Sequence, residues 1–203
     1  MRARIWVALV AAAGPALAQP PATPLPELQL ADNEEYIAHV LVTTGRDTMG
    51  TMSIRLFHKY APEHVKSFVA LAGKGFYDGT KFHRTKPEGF IQGGDPLSRD
   101  ADPQNDGTGG PGYDLPLAVN GKNFVRGTVG AANIGKRDNG SQFFICLKEY
   151  PDWDQRYTAI GTVFQGIEVA DRIAAGKRQG EHPVDSYVMT VRVEKRVREV
   201  KLY

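Results

Sequence analysis

Asn139-Gly140-Ser141-Gln142-Phe143-Phe144-Ile145 reads as a turn signal running into an apolar strand. It closes a series begun by Phe82-His83-Arg84 and continued by Gly89-Phe90-Ile91-Gln92-Gly93-Gly94-Asp95. Consecutive strand residues face opposite ways, so only one of Phe143 and Phe144 can enter a core while the other looks onto a second surface. Outward from these runs the same punctuation recurs. Tyr36 to Thr44 and Thr51 to Phe57, joined by Gly45-Arg46-Asp47, read as a hairpin. Further strands are expected over Lys81 to Arg84, Phe90 to Gln92, Thr128 to Ala132, Gln142 to Cys146, Tyr157 to Phe164 and Val188 to Val200. Two segments carry a helical period instead. Pro62 opens one with Val65, Phe68, Val69 and Ala72 on one face, closed by Gly73; Ile167 to Ala175 repeats the pattern with Ile167, Ala170, Ile173 and Ala174 and stops at Gly176. The strands follow one another too closely for crossover helices. The expected fold is therefore mainly β, an eight-stranded antiparallel barrel closed by two α-helices.

The chain has 203 residues, 41% hydrophobic and 24% charged, enough for one ordinary domain with short extras. Met1 to Arg4 is basic, Ile5 to Ala13 apolar, and Ala16-Leu17-Ala18 a small-x-small cleavage pattern, so residues 1–18 read as a signal peptide with Gln19 as the first mature residue. The apolar run is too short for a membrane anchor, which needs roughly 20 residues. Removing Arg2 and Arg4 leaves 23 basic against 23 acidic residues, a balance that offers nucleic acid no handle. Pro20, Pro21, Pro24 and Pro26 mark residues 19–34 as an extended Pro-rich linker, and residues 35–203 as the domain. Cys146, the single cysteine, ends an apolar run and is expected to be buried.

The three motifs, with Gly107-Thr108-Gly109-Gly110 and Ala132-Asn133 between them in order, closely resemble the signature of the cyclophilin-type peptidyl-prolyl cis-trans isomerases. The resemblance runs from residue 36 to residue 203. It implies a cyclophilin-like barrel that turns over X-Pro bonds in unfolded or partly folded polypeptides, without metal or other cofactor. The signal peptide together with a compact domain leads us to expect an exported, periplasmic protein, and a monomer. A proline-peptide binding module or chaperone with little turnover is the alternative.

The chemistry accounts for the residue types. Amide resonance sets a barrier of about 18–20 kcal/mol to rotation, and a preorganised donor aimed at the twisting amide weakens that resonance without breaking a bond. A guanidinium suits the task, because it stays charged and presents several donors in a rigid fork. By resemblance Arg84 is that catalytic donor. Phe90, Phe144 and Trp153 would hold the proline ring, with Ala132 on the groove wall. Gln92 and Gln142 would meet the peptide backbone, Asn133 the residue before proline, and Tyr157 would stand at the rim where many members have histidine. Phe143 is then core.

This chain departs from the pattern in places. Phe90 is displaced by one position in a gapless alignment, so either of two neighbouring pocket positions is open to it. Ile134 is bulkier than the usual alanine. Trp153 stands one place after the tryptophan that helps cyclophilins bind cyclosporin, with Asp152 in the matching place, which leaves cyclosporin binding open. Other motifs read plainly. Asp100, Asp102 and Asp106 form a solvated acidic loop rather than an ordered calcium site. The glycines near 107 lack the Gly-Lys-Ser/Thr of a phosphate loop. The histidines at 39, 58, 64, 83 and 182 lack metal-binding spacing, and His83 is expected to support its strand. Asn139-Gly140-Ser141, formally a glycosylation acceptor, reads as a turn.

Overall fold

The computed structural model describes residues 25, 27, 28, 30, 31, 33–45 and 47–197, the side chain of Ile134 excepted. The first hairpin pairs β1 (Glu34–Thr44) with β2 (Asp47–Leu56), and α1 (Pro62–Gly73) follows. A second hairpin joins β3 (Phe82–Lys86) to β4 (Phe90–Gly93). After β5 (Asp114–Pro116) come β6 (Thr128–Ile134) and β7 (Arg137–Cys146), then β8 (Ala159–Gln165) and α2 (Ile167–Ala175). Two-residue strands β9 (Arg178–Gln179) and β10 (His182–Pro183) form a small hairpin before β11 (Tyr187–Val197).

Eight strands run in the order β11-β1-β2-β8-β6-β7-β4-β3, every pairing antiparallel, with β5 added beside β7. The path curls until its two ends meet at a bridge between Lys81 and Val188. That is the expected barrel, with the short β5, β9 and β10 added to it.

Side-chain alternation decides what the sheet encloses. Tyr36, Ala38, Val40 and Val42 of β1, spaced by two, enter one buried cluster with Phe82, Ile91, Phe143 and Ile145. Both helices pack onto it, α1 through Val65, Phe68 and Leu71 and α2 through Val169, Ala170 and Ile173. Phe143 meets the Phe68 ring edge-on at 5.7 Å, so it is core as expected. Cys146 is buried, and desolvation pushes its thiol up to about 12.

The expected signal peptide, residues 1–18, lies outside the described residues. Two expectations change. The linker ends sooner than residue 34 in any free sense: Leu28 and Leu30 pack against the core cluster and Glu27 pairs with Lys66 at 3.0 Å. Apolar side chains close to the first strand gain by covering the barrel, which the polyproline reading of the segment did not include. Asn139 is not in a turn but inside β7. Its Oδ1 accepts from the backbone N–H of Ser141 and of Gln142, and its Nδ2 donates to the Gly109 carbonyl. The Asx-type bonds that make Asn a turn former are made here within a strand, leaving the amide buried and engaged.

Candidate active site

A groove of about 170 Å³ opens on the outer face of β4, β6 and β7. Arg84 enters it from β3, Phe90 and Gln92 from β4, Ala132 and Asn133 from β6, and Phe144 from β7; Trp153 and Tyr157 come from the turns before β8. Eight of the nine residues expected at the site thus line one hollow.

Its floor is aromatic. Phe144 stacks on Phe124 at 5.8 Å and takes the edges of Trp153 and Tyr157, each at 5.1 Å. Trp153 keeps its place in the groove despite the shift in sequence, because the 3-10 turn Pro151–Trp153 swings it inward and leaves Asp152 exposed. Tyr150 lies flat against Trp153, 3.9 Å between centroids and 7° between planes. The β4–β7 register sets Phe90 opposite Cys146 and Gln92 opposite Phe144, while Ile91 turns to the core. Phe90 therefore shares the groove face with Gln92, 6.4 Å from Phe144. The preceding place needs glycine, since a Cβ on Gly89 would stand 2.8 Å from the Tyr150 hydroxyl. Phe124 and Tyr150 were not expected here; neither sits in a periodic run, and only the folded chain reveals them.

Gly130 of β6 keeps this floor flat. A Cβ there would meet Phe144 Cζ at 2.4 Å and Phe124 Cε1 at 2.7 Å. We expect Gly130→Ala to cost about 1–3 kcal/mol by overpacking and to weaken proline-peptide binding by pushing Phe144 into the groove. Urea unfolding and peptide titration by NMR check both, and unchanged affinity would show that Phe144 does not form the floor.

The polar wall is a relay of hydrogen bonds. Arg84 Nη1 donates to Gln92 Oε1 at 3.2 Å, and Gln92 Nε2 donates to Gln142 Oε1 at 3.0 Å. Gln142 corrects the expectation of a peptide contact. It does not line the groove but lies buried behind Gln92, its Nε2 donating to the carbonyls of Gly107 and Gly109. With both ends of the amide used inside the protein, it orients Gln92 instead. Asn133 donates from Nδ2 to the Arg156 carbonyl at 2.9 Å, which fixes the side chain against the Trp153–Tyr157 turn. The side chain of Ile134 lies outside the description.

The glycine-rich loop serves a buried carboxylate. Asp95, fully buried, accepts from the N–H of Gly107, Gly109 and Leu97. A Cβ on Gly109 would fall 2.2 Å from Asp95 Oδ1, so the loop approaches only without a side chain. In the acidic loop, Asp100 accepts from the Asp102 N–H and the Asn105 amide, and Asp102 from the Gln104 N–H. Those carboxylates cap turns.

His83 of β3 is buried, and desolvation holds its imidazole down to about 4, against an opposing pull from the Asp95 charge. The unfolded chain then binds the extra proton between pH ~6.5 and ~4, so stability falls as pH drops through that window, by up to ~3 kcal/mol, and levels off below it. We expect His83→Gln to flatten this part of the urea-midpoint profile. An identical profile in the variant would remove His83 from the account.

The comparisons with known proteins agree with this geometry. The family described as cyclophilin type peptidyl-prolyl cis-trans isomerase/CLD matches residues 39–195. A Helicobacter pylori protein named peptidyl-prolyl cis-trans isomerase is 37% identical over 147 residues, covering 70% of this chain and 86% of its own. A Synechococcus elongatus protein of the same name is 41% identical over 136 residues, 63% of this chain and 89% of its own. A crystal structure of a Cryptosporidium parvum cyclophilin type peptidyl-prolyl cis-trans isomerase superposes with a TM-score of 0.68 at 24% identity, covering 79% of this chain and 98% of that one. That last likeness is one of fold.

Proposed function

The chain belongs to the cyclophilin-type peptidyl-prolyl cis-trans isomerases and is an enzyme of that activity, and from this premise we propose which residues carry the reaction and where it takes place. Arg84 is the electrostatic catalyst; Phe90, Phe144 and Trp153 grip the proline ring; Gln92, Asn133 and Tyr157 hold the flanking backbone; and Ala132 leaves room on the wall. The observation that carries this reading is the Arg84 guanidinium carbon 5.0 Å over the Phe90 ring, beside the Phe144 floor. A proline ring resting on that floor brings its amide under a fixed fork of donors. As the imide nitrogen loses conjugation and becomes pyramidal, its lone pair localises on it while negative charge drains from the carbonyl oxygen, and a donor aimed at the nitrogen strengthens its hold in the transition state. No proton leaves and no bond to a nucleophile forms.

The substrates, in this proposal, are polypeptides that have been exported to the periplasm, where the enzyme acts as a monomer. The basic, apolar and Ala-Leu-Ala pattern of residues 1–18 supports export, and a groove built entirely from one chain requires no second copy. Two measurements test the proposal. Exchange spectroscopy on a short X-Pro peptide should show cis-trans exchange accelerated by catalytic amounts of enzyme, and peptide bound without exchange would overturn it. Mass spectrometry of the fractionated host protein should find a periplasmic species beginning at Gln19, and a cytosolic species retaining Met1 would overturn the export.

A further inference from the structure

The small β9–β10 hairpin does not hang free beside the barrel. Gly180, at φ +63°, turns the chain, and the next residue, Glu181, lands on β3 at two points. Its carbonyl accepts the Thr85 N–H at 2.7 Å, and its side-chain Oε2 accepts the Arg84 Nε–H at 2.5 Å. Backbone and side chain of one residue thus grip two successive residues of β3, one of them Arg84.

Counting donors on the guanidinium shows what the grip achieves. Nε is taken by Glu181 and one Nη1 hydrogen by Gln92, while the Phe90 ring covers one face. Nη2, with both its hydrogens, has no partner among the described residues and is left for a ligand. An arginine held by β3 alone has several rotamers and about 2 kcal/mol of side-chain entropy to lose on each encounter. The Glu181–Arg84 pair itself is half-exposed, 42% and 45%. A pair so placed is screened and contributes about 0–1 kcal/mol to stability, so its consequence lies in orientation rather than in holding the fold or cancelling the charge.

Resting on the proposed role of Arg84, we propose that Glu181 is a positioning residue for the isomerase: it fixes Nε so that the free edge of the guanidinium stays turned to the groove. The apolar floor does not involve Glu181, so substrate affinity is independent of it and the turnover rate is not. Mispositioning of a reacting group can cost up to ~10²-fold; for a guanidinium still held by Gln92 and Phe90, Glu181→Ala should lower kcat about tenfold with KM within about twofold.

The test uses the full chain and four variants, Glu181→Ala, Glu181→Gln, Arg84→Ala and the Arg84→Ala/Glu181→Ala double. Rates come from exchange spectroscopy on an X-Pro peptide, and the Arg84 Nε–H resonance is followed by NMR. Glu181→Ala should slow turnover and broaden that resonance. Glu181→Gln, which keeps an acceptor, should recover most of both. In the double variant the glutamate change should add no further loss. Turnover in Glu181→Ala equal to or faster than wild type, or a full additional loss on top of Arg84→Ala, would overturn the inference while leaving Arg84 as catalyst. Wild-type turnover in Arg84→Ala would instead overturn the Arg84 reading, and Glu181 would fall with it.

Discussion

Replacing Arg84 with alanine is expected to lower kcat/KM on a short X-Pro peptide by roughly 10²–10³ with little change in stability. The size follows from what is removed. Arg84 is the one cation among the described groove-lining residues, its fork aimed by Gln92 and Glu181. The small stability change follows from exposure. Arg84 is 45% exposed and its ion pair contributes at most ~1 kcal/mol. Peptide binding should survive, because the Phe90, Phe144 and Trp153 surfaces remain. Arg84→Lys separates charge from geometry: an ammonium keeps the charge but lacks the planar fork, so it should recover only part of the rate. Exchange spectroscopy gives turnover and titration gives affinity on the same samples. A rate within twofold of wild type in the alanine variant, with the fold intact, would assign the catalysis elsewhere.

Most of this site was legible because its residues sit on strands with clear alternation. Phe143 and Phe144 had to part company, and they do, the first into the core and the second onto the groove floor. The helix Ile167–Ala175 lies where its period placed it. What escaped depends on contacts between segments distant in sequence. Phe124 and Tyr150 lie in loops without any period, and it is the packed floor that makes them necessary. Gln142 looked like a substrate ligand because it neighbours Phe144, yet its strand position turns it inward to the glycine loop. Glu181 belongs to no motif or period in the sequence, and nothing local says that the turn at Gly180 comes to rest on β3. The one-residue shifts at Phe90 and Trp153 were visible, whereas their outcome needed the β4–β7 register and the 3-10 turn.

The largest loss of stability is expected from a residue outside the groove, Asp138. Its side chain is fully buried, its Oδ2 meeting His64 Nε2 at 2.8 Å and accepting from the Thr158 hydroxyl at 2.5 Å. Thr158 Oγ1 in turn accepts the Ala118 N–H, and the Thr158 carbonyl accepts the Ala131 N–H. Helix α1, the β6–β7 hairpin and the segment leading from Tyr157 into β8 are thus joined at one carboxylate. Removing Asp138 leaves both His64 Nε2 and the Thr158 hydroxyl buried without their acceptor, at about 1–3 kcal/mol for each unsatisfied group. Against a typical total of about 5–15 kcal/mol, Asp138→Ala should leave the protein marginal. The pair is nonetheless incomplete, since Asp138 Oδ1 and His64 Nδ1 find no partner among the described residues. Buried pairs of that kind are often replaceable as a unit, so His64→Leu with Asp138→Val should cost well under the sum of the two single changes. A coupling of about 1–3 kcal/mol in the double-mutant cycle is expected. Urea unfolding of the four proteins measures it directly. Additive costs, or an Asp138→Ala protein within 1 kcal/mol of wild type, would mean that the His64–Asp138 contact is not what holds α1 to the barrel.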